Sequence, residues 1–263
     1  MAFVGFVCLT CLHHVTRLLS LPIMYALMTA KVSFGCFSPK KICSVFAFIS
    51  FSFFALHCAS EALINFGGVS ERFCQDFFDA INLDEEFNLT AIYSGVLLYV
   101  SSFLLKQIAL SCRGGDVRDW MLLSKVFLFL AFDEVFQVHE LFLISDLKQY
   151  VHPSLASIWV VPYGILFVLF ALKFTPFFLK LRRRVALSAL IAGGVYVTGA
   201  IAFEALNSWL VRTGQISRSS FYYELISGFE ELFEMLGVII FLYALLLELP
   251  SRFVQLEYNF TVK

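Results

Sequence analysis

Inside long apolar runs of this chain sit Glu61, Asp133, Glu134, Glu140, Glu204, Glu230, Glu231 and Glu234, with His57 and His139 beside them. Carboxylates and imidazoles in such surroundings can ligate a cation, act as general acid or base, or line a proton pathway. An ionisable group in lipid costs at least several kcal/mol, so each is a functional-site candidate by default. Acids have little reach. Lys106, Lys125 and Lys173 lie near the ends of their runs, where a long side chain snorkels to the interface, and are read as structural.

Their spacing gathers these groups onto faces. At about 100° per residue, Ser227, Glu230, Glu231 and Glu234 share one arc of a helix. Asp133, Glu134, Gln137 and Glu140 share an arc of about 120°, with His139 turned away toward a neighbouring helix. His57 and Glu61 are an i,i+4 pair. Two local echoes stand out. Phe132-Asp133-Glu134-Val135-Phe136-Gln137 parallels Phe229-Glu230-Glu231-Leu232-Phe233-Glu234, and Glu61-Ala62-Leu63 with Asn65 parallels Glu204-Ala205-Leu206 with Asn207.

The elements that must position these groups are membrane helices. A span needs about 20 mostly apolar residues to cross roughly 30 Å of hydrocarbon. Six runs qualify: 43–66, 88–110, 120–143, 157–179, 185–206 and 222–249. Unpaired backbone is intolerable in lipid, so each is expected to be helical. The fold class is therefore all-α: an integral membrane bundle of six transmembrane helices. Residues 1–42 form an N-terminal cytoplasmic or interfacial segment, 43–249 the membrane domain and 250–263 a cytoplasmic tail. The first 30 residues are read as an interfacial segment, or as lying upstream of a start at Met24 or Met28.

Composition agrees. Of 263 residues 60% are apolar and only 15% charged, with mean hydropathy +0.83, against about 45–50% and about 25% in soluble domains. A net charge of −1 lacks the basic excess of a nucleic-acid binder. Seven irregularly spaced Cys, with Cys8 and Cys11 a lone C-x-x-C, make no disulfide framework. Twelve Lys and Arg fall on one side of the six spans and four on the other, which places both termini in the cytoplasm. With that orientation Glu61, Glu140 and Glu204 come late in outward-running helices, and Glu230, Glu231 and Glu234 come early in an inward-running one. Acids from spans 1, 3, 5 and 6 thus meet in the outer half of the bilayer. Gly193, Gly194, Gly199, Gly228 and Gly237 are small enough to let the last two spans approach closely.

So many acids at close range must share protons or surround positive charge. The leading expectation is a divalent metal (Fe, Mn or Zn), held by Glu61, Glu134, Glu204, Glu230, Glu231, Glu234 and His57. Asp133, Glu140 and His139 would then serve as catalytic groups in an enzyme acting on a lipid or other apolar small molecule. The alternatives are a proton- or cation-coupled transporter and a structural or assembly subunit. The inner halves carry few polar residues and no Gly/Pro-broken helix pair, which favours an outer-leaflet site over a conduit. The partner is the lipid bilayer, not nucleic acid; oligomeric state is not legible. The chain order of a lone Glu, E-x-x-Q, a lone Glu and E-x-x-E resembles the di-iron carboxylate bundles, but without their fourth-position His.

The stretches Asp133-Glu134-Val135-Phe136-Gln137-Val138-His139-Glu140 and Glu230-Glu231-Leu232-Phe233-Glu234-Met235-Leu236-Gly237 resemble a family of bacterial polytopic membrane proteins. Its members carry D-E-x-x-x-x-H-E in one span and E-E-x-x-E-M-x-G in the last. The resemblance covers roughly spans 3 to 6. It implies a shared site at these positions and a bacterial inner (plasma) membrane, and brings no activity with it. Asn88-Leu89-Thr90 fits a glycosylation acceptor on the outer side.

Overall fold

All six apolar runs contain helix in the computed structural model, which describes residues 38–67, 78–84, 88–112, 116–136, 138, 152–153 and 160–261, with side chains followed as far as Leu249. Among these residues there is no strand. Helix α1, Pro39–Phe66, starts on a proline, whose missing N–H is no loss in a first turn. Helix α2, Leu89–Ser111, is capped by Asn88, whose Oδ1 accepts from the Ala91 N–H at 3.0 Å. The same amide donates to the Asp79 and Asn82 carbonyls. Asn88 is thus a buried helix cap, and the glycosylation acceptor expected there is not presented to solvent. Helix α3, Asp116–Phe136, opens with Asp116 and Asp119, which complement its dipole.

Helix α4 is Val160–Phe178, with Pro176 in its last turn, and α5 is Arg183–Val197. The fifth run does not continue as regular α-helix: a π segment, Thr198–Phe203, precedes α6, Glu204–Arg212. Gly214 (φ 72°) ends α6 in the left-handed conformation that glycine tolerates best. Helix α7, Phe221–Thr261, passes through Pro250, where the sequence reading ended the span and began a tail. A proline removes one N–H and so bends a long helix without having to end it.

Five helical segments are long and apolar enough to cross a membrane: Pro39–Phe66, Leu89–Ser111, Val161–Phe178, Arg183–Arg212 and Phe221–Leu249. Helix α3 is of similar length, but Asp116, Arg118, Asp119, Lys125, Asp133 and Glu134 make it too polar to count by composition. Of the expected third run, Gln137 and residues 139–143 lie outside the described residues, as do 1–37.

The bundle is organised around α7, which α1, α2, α5 and the π segment all contact, while α3 packs along α2. The α2–α3 pair is antiparallel and held by a reciprocal bond: Ser102 Oγ donates to the Ser124 carbonyl at 2.7 Å and Ser124 Oγ to the Ser102 carbonyl at 2.9 Å. Two apolar clusters fill the interior. One gathers Leu105, Trp120, Phe174, Phe177, Phe178, Phe241 and Leu245 near the α2–α3 turn; the other gathers Leu83, Leu97, Leu98, Met235, Val238 and Leu242 toward the opposite end. The exterior is apolar too. Phe48 is 73% exposed and Leu172 70%, which suits hydrocarbon and not water.

Candidate functional site

The acids of α7 lie at the end of the bundle where α2 begins and α3 and α5 finish. There the backbones run close: a Cβ on Gly199 would stand 2.7 Å from the Glu230 carbonyl, and one on Gly237 2.7 Å from Tyr196 Cβ. Both contacts join the fifth and sixth runs, as expected of small residues. Gly228 serves another neighbour, since its Cβ would stand 2.8 Å from the His57 ring on α1. Gly193 and Gly194 face open space.

Within this crossing, Glu134 of α3 interacts electrostatically with Glu231 and Glu234 of α7, and those two with each other. The Tyr196 hydroxyl of α5 makes a hydrogen-bonding contact with the Glu234 carboxylate. Glu204, first residue of α6, faces Glu230 and Glu234 and accepts from Ser208 Oγ at 3.1 Å. Among the described residues, the charged groups that Glu230, Glu231 and Glu234 sense are other acids: Asp84, Asp133, Glu134, Glu204 and one another. The π segment bears on this placement. Its wider winding changes the phase of whatever follows. Past it, buried Asn207 donates to Ser227 Oγ at 3.0 Å, on the same face of α7 as the acids.

Glu134, Ser94, Tyr196 and Glu234, together with Leu97, Leu98, Met235 and Val238, line a cavity of about 10 Å³. Ser94 is 6% exposed, and its Oγ is buried without a hydrogen-bond partner.

His57 has another job. It is fully buried; Nδ1 accepts from the Leu83 N–H at 3.2 Å and Nε2 lies 2.9 Å from the Glu224 carbonyl. An accepting Nδ1 requires the proton on Nε2, which then donates to Glu224. Both ring nitrogens are thereby engaged by backbone, tying α1, the 82–84 loop and α7 together, and neither faces a cation. Glu61, one turn on, is buried on α1 with its backbone carbonyl accepting from Asn65 Nδ2 at 2.9 Å. Its carboxylate Oε2 lies 3.4 Å from the same Asn65 Nδ2. Asp133 is buried beside Glu134, against the Tyr163 hydroxyl of α4, and also senses Glu234. His139 and Glu140 lie outside the described residues.

Among the described residues, no three His, Cys, Asp or Glu side chains are arranged to hold a metal ion. The expected seven-ligand set therefore divides: Glu134, Glu231 and Glu234 gather, Glu204 and Glu230 flank them, Glu61 lies on α1 beside Asn65, and His57 is held by backbone at both ring nitrogens. Three participants escaped the sequence reading. Ser94 and Tyr196 carry no charge and were passed over in a search confined to ionisable groups. Asp84 lies between the first two runs, outside any span, yet it interacts with Glu230, Glu231 and His57. Leu83, buried beside it, gave no signal beyond being an apolar residue among acids.

A protein family described as "Domain of unknown function (DUF8692)" matches residues 45–249. The chain belongs to this family. The matched region runs from the start of α1 to the end of the described α7 side chains, so it takes in every helix that contributes to the site and not only the two motif-bearing ones. No curated protein and no solved structure matches the chain.

Proposed function

We propose that this DUF8692 protein is a six-span membrane protein, both termini cytoplasmic, that takes up a hard cation in the outer half of the bilayer at the carboxylates Glu134, Glu231 and Glu234, by rearrangement of side chains that are not preset as a metal cage. The sixth span is α3. Its 21 residues give about 31 Å at 1.5 Å per residue, and it follows antiparallel an α2 that is itself apolar enough to cross. One observation carries the cation reading: carboxylates from two helices interact within one buried neighbourhood, Glu134 of α3 with Glu231 and Glu234 of α7. Oxygen donors of this kind suit hard cations.

The aromatic cluster around Trp120, Phe174 and Phe241 fills the opposite end of the bundle. This favours a site reached from one side over a conduit through both. A second reading, catalysis on a lipid with Asp133 as acid or base, draws on an apolar groove of about 520 Å³ lined by Val161, Gly164, Ile165, Leu169 and Ile201. The groove lies beside Tyr163, which contacts Asp133.

The test is thermal unfolding of the detergent-purified protein across Na⁺, K⁺, Mg²⁺, Mn²⁺, Fe²⁺ and Zn²⁺, beside a Glu231→Gln, Glu234→Gln variant, with elemental analysis of both. A bound ion at 100 times its Kd stabilises by about 2.7 kcal/mol, so at least one cation raises the wild-type midpoint and leaves the variant unmoved. A panel in which no cation separates the two, with equal and negligible copurified metal, overturns the reading.

A further inference from the structure

We infer that the basic turn between α4 and α5, together with the exposed face of α5 that descends from it, is a binding site for a phospholipid with an anionic headgroup. It lies at the opposite end of the bundle from the acids, and nothing in it depends on a bound cation. The turn joins two membrane-length segments, Val161–Phe178 and Arg183–Arg212, so it stands at the membrane surface. It is short and anchored. The Leu179 N–H donates to the Thr175 carbonyl and the Leu181 N–H to the Phe178 carbonyl, both at 3.0 Å, and Leu181 packs against the aromatic cluster. Arg182 folds back onto α7, with Nη2 3.1 Å from Oε2 of Glu248. Lys180, Arg183 and Arg184 do not. All three are exposed, and among the described residues none has a hydrogen-bond or ion-pair partner for its side chain. Cations clustered at a membrane surface attract anionic lipid, and guanidinium groups match phosphate oxygens in pairs.

The face below the turn fits the rest of such a molecule. At about 100° per residue, Arg183, Leu187, Leu190 and Gly194 fall within about 60° of one another around α5. All four are exposed, whereas Ala189 and Ala192 on the other side are buried. From Arg183 to Gly194 the helix rises about 17 Å, close to half of the roughly 30 Å of hydrocarbon and so to the reach of one leaflet's acyl chains. Glycine in a helix interior is destabilising relative to alanine, and no neighbouring side chain or helix lies within 4 Å of where a Gly194 Cβ would stand. Packing within the protein gives no reason for the glycine; an acyl chain lying in that notch, below a phosphate held at Arg183, does. A second copy of the chain is the other way to cover a glycine-bearing face. Copies in one membrane share their orientation, so a two-fold axis through this face would set Arg183 against Arg183 and Arg184 against Arg184. The charge that repels a second copy recruits the lipid.

The probes are phosphatidylglycerol, phosphatidylcholine with the same acyl chains, and inorganic phosphate. Each is titrated into the full chain in detergent, with thermal unfolding and mass analysis of retained lipid as readouts. Phosphatidylglycerol is expected to be retained and to raise the midpoint more than phosphatidylcholine, and inorganic phosphate to do neither. Arg183→Gln with Arg184→Gln is expected to need about thirtyfold more phosphatidylglycerol for half the effect, about fivefold for each cation removed from an anionic surface. Gly194→Leu fills the notch without changing charge or meeting a neighbour. It is expected to lower the lipid retained and to leave the salt dependence unchanged. All three positions are exposed, so these variants keep the packed face of α5. Equal retention of the two lipids overturns the inference, as does a midpoint raised by inorganic phosphate alone. Full retention by Gly194→Leu overturns it too, since diffuse attraction to a basic rim is indifferent to that side chain. So does a Gly194→Leu variant that changes the oligomeric mass and not the bound lipid, which gives the face to a second copy.

Discussion

At the end of the bundle where α2 closes and α3 opens, Trp120 meets Phe177 edge-on at 4.9 Å and Phe127 stacks on Phe241 at 4.6 Å. At the other end, Glu134, Glu231 and Glu234 crowd one another with Tyr196 and Ser94 between helices. Both regions draw on α2, α3, α5 and α7, and the first adds Phe174, Phe177 and Phe178 of α4, within one apolar surround. Aromatic side chains bury large area through packing, so the interior of the first end closes by dispersion, with the Lys173–Asp119 and Arg182–Glu248 pairs at its rim. Carboxylates in the same space must be matched one by one, and the chain spends its special geometry there: the π segment, the close crossings at Gly199 and Gly237, and a histidine bonded at both nitrogens.

The contrast is sharpened by removing one piece from each end. The largest effect is expected at Trp120, which is fully buried and whose indole nitrogen has no hydrogen-bond partner. Trp120→Ala should lower stability by about 3–5 kcal/mol while leaving the response to cations intact, measured by unfolding with and without NaCl. A cation response lost together with the packing would mean that the ends are not separable.

His57→Ala should come next. It abandons the Leu83 N–H and the Glu224 carbonyl, at about 1–3 kcal/mol for each buried group. Because Leu83 adjoins Asp84, hydrogen exchange of the 82–84 backbone should rise along with it; an unchanged exchange rate would show that the loop is held by other means. The smallest effect is expected at the Lys173–Asp119 pair, 2.8 Å long and with the lysine side chain 47% exposed. Lys173→Ala should shift stability by about 0–1 kcal/mol, consistent with a snorkelling lysine. A larger loss would mean that this pair is shielded from water. Arg182 at the same end is better placed, with Nε 3.2 Å from Oε2 of the buried Glu248.

The legible part of the site was the part written in charge. Glu134, Glu231 and Glu234 could be assigned to one neighbourhood from helix direction and phase, because a membrane restricts both to a few values. The same reasoning failed for His57: its i,i+4 spacing from Glu61 defines a helix face but not what that face meets. His57 meets two backbone groups from segments 26 and 167 residues away. Glu204 reached the neighbourhood expected of it, although the π segment that precedes it has no signature in the residue types Thr198 to Phe203. The C-terminal continuation of α7 through Pro250 was likewise invisible, since a single missing N–H does not say whether a helix stops.

Sequence by itself determined that this chain is helical, apolar enough to lie in a membrane and burdened with acids on a few helical faces, because hydropathy and the 3.6-residue period are local properties. Tertiary structure decided which of those acids share a pocket, that uncharged Ser94 and Tyr196 complete it, and that His57 is fastened to the backbone. These depend on where helices cross, and a crossing is set by close contacts such as Gly199 against Glu230, which joins residues far apart along the chain.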